Sequence, residues 1–168
     1  MKMDERTRVD LVTVVALGAL AGSRSMLPQV VLSRALRERR RPAWLSWLAA
    51  PAAARVFATL ATLELVADKL PGVPARVASL PLLGRALSGA AAGFVTAKER
   101  REHAPLFALV GAAAALAASI VSYRARRYAM ERWGMSSAGS GLLEDGLALM
   151  GAQRLERRLG HGTSNGNA

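Results

Sequence analysis

Four runs of this chain, residues 11–22, 56–67, 86–97 and 106–121, hold almost no charged side chain, and the charge is gathered between them. A helix on the surface of a soluble bundle keeps a polar face along its length, because one side meets water. Blocks that are apolar all round, separated by charged connections, are instead the layout of helices that cross a bilayer. The sequence therefore predicts an all-α fold, a polytopic membrane helical bundle with four spanning helices and room for a short or re-entrant fifth. A chain of 168 residues suffices for one domain. That membrane-embedded helical domain is expected over residues 1–152, with 153–168 as a polar, disordered C-terminal tail.

The first block, residues 10–36, is interrupted by Ser23-Arg24-Ser25 and then by Pro28, so its helix is expected to kink or break. It imitates a secretory leader at Ala19-Leu20-Ala21, yet Asp4, Glu5 and Asp10 sit where such a leader is basic, which favours a retained helix. PAWLSWLAAP follows, where Trp44 and Trp47 suit a segment lying at headgroup level. Further spans are expected over residues 52–70, 80–97 and 105–123, and a weaker block over 134–153. Ser140 is a plausible cap for a helix from Leu142 onward.

The formal net charge is +11, and RERRRP and SYRARRY are basic enough to suggest nucleic acid. Both abut apolar blocks, where arginines anchor helix ends against anionic headgroups, so the reading is a lipid partner and no nucleic acid. Cysteine is absent, which excludes disulfides, thiolate catalysis and cysteine metal sites. The two histidines, His103 and His161, lie in a polar loop and in the tail, so neither metal nor cofactor is expected. Five alternating spans would divide lysine and arginine almost evenly between the two sides, leaving the orientation open.

GALAG (18–22) and GAAAG (89–93) each place two glycines four apart, the spacing that lets helix backbones approach closely, within this chain or between copies of it. Each is followed later by an acidic pair, Glu64/Asp68 and Glu144/Asp145, which hints at a weak internal repeat of the kind found in transporters.

The chemistry lies in charged residues that end or interrupt apolar helices. In ELVADKLP, Glu64 and Asp68 share one helix face at i and i+4, with Lys69 beside them. Two stacked carboxylates in a low dielectric do not both ionise unless a cation stands between them. Arg24, Arg76 and Arg124 are the candidate partners. The Ser23–Ser25 break could also offer backbone groups and a cation to an anionic ligand. The candidate binding or ion-pathway residues are thus Arg24, Ser25, Glu64, Asp68, Lys69, Arg76, Arg124, Glu144 and Asp145. Three uses compete: a structural charge network in a membrane scaffold or assembly factor, a pathway for an ion or small solute, and an active site on lipid headgroups. Nothing resembles a nucleophile with its base. The expectation is a non-enzymatic small transporter or channel-like protein, with the scaffold as the alternative and the lipid enzyme third.

AGSRSMLP, ELVADKLPGVPAR, GRALSGAAAG, the Tyr–Arg end of the fourth span and the late Glu-Asp pair occur here in that order. Together they resemble domain-of-unknown-function family four-one-two-six, over roughly residues 17–148. The resemblance implies a multi-pass bacterial inner-membrane protein and points to Arg24, Glu64, Asp68, Lys69, Pro71, Arg76, Glu144 and Asp145. It supplies no activity.

Overall fold

A computed structural model of the chain describes residues 5–38, 43–67 and 79–161. Regular structure among them is entirely helical: α1 (Glu5–Ser23), α2 (Leu27–Ala35), α3 (Pro51–Ala67), α4 (Ser79–Arg100), α5 (Ala104–Trp133) and α6 (Ser137–His161). Short 3-10 turns at Leu36–Glu38 and Ala43–Leu45 join α2 to α3. Asp68, Lys69 and Arg76 lie outside the described residues.

Local chemistry sets most of the boundaries. Prolines occupy the first turns of α2 and α5, where a missing N–H costs nothing. Gly134 ends α5 in the left-handed region (φ 63°) and returns its N–H to the Ala129 carbonyl. The start of α6 differs from expectation: it begins at Ser137, and the Ser136 hydroxyl accepts the Gly139 N–H. Ser140 is already inside the helix, donating to the Ser137 carbonyl. At its far end α6 runs to His161, into the segment expected to be tail, because Leu155 and Leu159 share one buried face four residues apart.

The first apolar block does more than kink. α1 stops at Ser23, and α2 doubles back beside it, so that Val31, Leu32 and Ala35 pack in one cluster with Leu17 and Leu20. Side-chain register fixes the other directions. Gly18 meets Gly111 and Gly22 meets Ala115, so α1 and α5 run parallel. Gly89 meets Gly111 and Gly93 meets Phe107, so α4 runs against both. Asp145 reaches Arg24 while Gly151 reaches Leu20, which makes α6 antiparallel to α1. Glu64 lies at the start of α2 and Phe57 near its end, at Leu36, so α3 opposes α2. Successive helices thus alternate in direction, and the chain enters α1 and leaves α6 at the same end of the bundle.

α1, α4 and α5 form the tightest part. A Cβ placed on Gly18 would come within 2.5 Å of the Gly111 carbonyl oxygen and 2.7 Å of the Ala114 Cβ. One on Gly93 would overlap the Phe107 carbonyl. Both glycine pairs noted in the sequence therefore serve close backbone approach, and they do so within the chain.

The distribution of polarity is inverted relative to a water-soluble bundle. Asp10, Arg24, Arg85 and Asp145 are buried, whereas Val12, Leu60, Leu87, Leu109, Val121 and Leu147 are exposed. Among the described residues, α5 is the one helix long and apolar enough to cross a membrane by length and composition. The apolar part of α1, Asp10–Ser23, is cut short by the break. α3 has 17 residues, and α4 and α6 carry Arg85, Glu144 and Asp145 within them.

Candidate functional site

The break between α1 and α2 is where the polar interior gathers. Ending α1 at Ser23 and starting α2 at Leu27 frees backbone carbonyls on one side and N–H groups on the other. Inside a packed bundle each must find a partner. Ser23 answers locally, its hydroxyl donating to the Leu20 carbonyl at 2.9 Å. The remaining partners come from four other helices.

From α3, the Glu64 carboxylate accepts the Ser25 N–H at 2.9 Å, the Ser25 hydroxyl at 3.0 Å and the Met26 N–H at 3.3 Å. An anion at a helix N-terminus also meets the positive end of the helix dipole. From α6, Asp145 forms a hydrogen-bonded ion pair with Arg24, whose side chain is 2% exposed. The same guanidinium donates to the Ser23 carbonyl at 3.0 Å. From α4, the Ser88 hydroxyl donates to the Ser25 carbonyl, and Gln29 of α2 donates to the Ser88 carbonyl at 3.2 Å. From α5, the Ser119 hydroxyl donates to the Gly22 carbonyl at 2.9 Å. The anion-binding capacity of the break is thus met by the chain's own Glu64.

Four of the residues singled out in the sequence, Arg24, Ser25, Glu64 and Asp145, therefore meet at one place. Arg24 pairs with Asp145 of the last helix, and Asp68, the other acid expected near it, lies outside the described residues. Glu144 points elsewhere, accepting a hydrogen bond from Ser122 of α5. It lines a cavity of about 300 Å³ between α5 and α6, with Arg126, Ser140, Trp133, Leu143 and Leu147. Arg124 is exposed on α5 and takes no part in the break.

Several contributors carry no signal that sequence reasoning weighed. Ser88 and Gln29 look like ordinary polar residues of apolar helices. Asp10, taken as an acid of the N-terminal segment, is buried and paired with Arg100 at the end of α4. Nearby, the Thr7 hydroxyl donates to Glu102 at 3.2 Å, tying the start of α1 to the α4–α5 connection. Among the described residues no group of acids and histidines is arranged to hold a metal ion.

Fold and site define an all-helical bundle assembled around a broken helix. The chain belongs to the family described as Domain of unknown function (DUF4126), whose model matches residues 11–152. That span begins in α1 and ends in α6, so it contains the break and every helix that supplies it. No curated protein and no solved structure matches the chain.

Proposed function

We propose that the chain is a multi-pass protein of the inner (plasma) membrane and works as a small transporter or channel-like protein whose polar route passes the α1–α2 break. The observation that carries this reading is the inverted polarity: charged side chains meet inside the bundle while large aliphatic ones cover its outside. An intramembrane charge costs about 2.5–3.5 kcal/mol on insertion scales, which argues for a use beyond packing. Discontinuous helices with free backbone groups near bilayer mid-depth are how many transporters build solute and ion sites. Glu64 and Asp145 are the groups proposed to exchange their present partners for a passing ion or solute.

A second reading keeps the same fold as a non-catalytic membrane scaffold or assembly factor. It is favoured by the fact that Arg24, Glu64 and Asp145 each already hold a partner within the chain. Proteoliposomes separate the two. Proton and potassium flux, followed with a trapped pH dye and an imposed potassium gradient, is expected to fall in Glu64→Gln and Asp145→Asn. Flux absent from the parent chain, or unchanged in both variants at a temperature where both remain folded, sinks the pathway. Lowered melting in both, without parent flux, favours the scaffold.

A further inference from the structure

Among the described residues, the exposed cations are shared unevenly between the two ends of the bundle. Because α2 doubles back along α1, the start of α1 and the ends of α2, α4 and α6 all lie at one end. They bring Arg34, Arg37, Lys98, Arg101, Arg154 and Arg158 there, each exposed, with Arg34 held by Glu156 at 3.2 Å. The other end carries Arg124, Arg127 and Arg132 on the last part of α5, and Arg127 is engaged by Glu131 at 2.6 Å. An even tally of charge arises only if the first apolar block is counted as one crossing. The hairpin moves the N-terminal segment to the side that holds the other basic ends, and the tally becomes lopsided.

Exposed aromatic residues mark the basic end as a headgroup layer, as Tyr128 and Trp133 do the other. Trp44 and Trp47 are exposed between α2 and α3, while Leu45 and Leu48 beside them are buried. Trp44 meets the Phe94 ring edge-on at 6.4 Å, and the Lys98 ammonium lies 5.6 Å from the centre of that ring. Indole rings with a lysine alongside suit the headgroup layer. Lysine and arginine close to the ends of spanning helices are retained on the cytoplasmic side, where the leaflet is anionic.

We infer that the end carrying Arg34, Lys98, Arg101 and Arg158 faces the cytoplasm and lies against the anionic headgroups of the inner leaflet. The start of α1 and the end of α6 share that side. The inference rests on the membrane reading above. The chain has no cysteine, so single-cysteine variants give clean labels. His103→Cys lies at the basic end and Ala138→Cys at the opposite end, both at exposed positions. In spheroplasts treated with an impermeant maleimide, Ala138→Cys should label fully, and His103→Cys only after permeabilisation. The reverse pattern overturns the orientation and leaves the membrane reading intact. Partial labelling of both variants shows insertion in two orientations and also overturns it. Release of the chain from membranes by alkaline carbonate removes the membrane reading itself.

Discussion

Glu64 Oε1 lies 2.9 Å from the backbone nitrogen of Ser25, so an acid near the end of α3 closes the first turn of a helix thirty-nine residues earlier in the chain. The same oxygen also takes the Ser25 hydroxyl, and the second oxygen takes the Met26 N–H. A hydrogen bond to a charged group contributes about 1.5–3 kcal/mol net, more than a neutral one. Glu64→Ala leaves the two N–H groups without their acceptor and is expected to cost about 2–3 kcal/mol on that scale. Glu64→Gln keeps one carbonyl oxygen and should cost roughly half as much. Thermal melts in detergent check the order; no loss in Glu64→Ala would show that the carboxylate is not what holds the break.

Arg24 and Asp145 test whether the ion pair is a structural unit. Removing one partner of a buried pair strands the other charge at about 3–5 kcal/mol, whereas replacing both by apolar residues is often near neutral. Arg24→Met and Asp145→Leu are each expected to lower the melting temperature sharply, and the double variant to recover most of the loss. A double-mutant cycle measures the coupling, and simple additivity would contradict the pairing.

Two kinds of helical glycine should respond in opposite ways. At Gly93 an added methyl group meets the Phe107 backbone, which cannot withdraw as a flexible side chain would. Gly93→Ala is therefore expected to force α4 off α5 and cost about 1–3 kcal/mol, as overpacking does. At Gly84 nothing lies within 4 Å of the added atom. There Gly84→Ala should gain up to about 1 kcal/mol from helix propensity alone. Paired melts decide it, and a neutral Gly93→Ala would mean the helices are farther apart than described.

Trp44 and Trp47 sit exposed at one end of the bundle and Trp133 at the other. If these ends lie at the two headgroup layers, lipids brominated near the glycerol should quench tryptophan emission more than lipids brominated near the chain ends. Stronger quenching from the deep position would place the rings inside the hydrocarbon and upset the proposed depth.

Much of this architecture is written locally. The apolar blocks, Pro28, Pro105 and the glycine pairs each act over a few residues, so most helices and the presence of close-packed glycine faces can be read from composition and spacing, though not which helix meets which. The reversal at Arg24 cannot. Whether a broken helix kinks or doubles back depends on which distant group takes its freed N–H groups, and Glu64 and Asp145 belong to other helices. Asp10 is illegible for the same reason, since its burial makes sense only beside Arg100. Arg124 was a reasonable partner by charge. However, it stands two residues, or about 200° of helix, from Ser122, which faces Glu144. A helical wheel anchored on the right face would have set it aside, but the face is known only once α6 is in place.

The partner of Arg24 is made 121 residues after it. The Arg24 guanidinium at the α1–α2 break therefore meets the Asp145 carboxylate only after the last helix has been made. A chain ending after Met135 lacks that carboxylate and is expected to be degraded faster than the full one. In a pulse-chase comparison, persistence of that shortened chain as long as the full one would show that Arg24 does not wait for its partner.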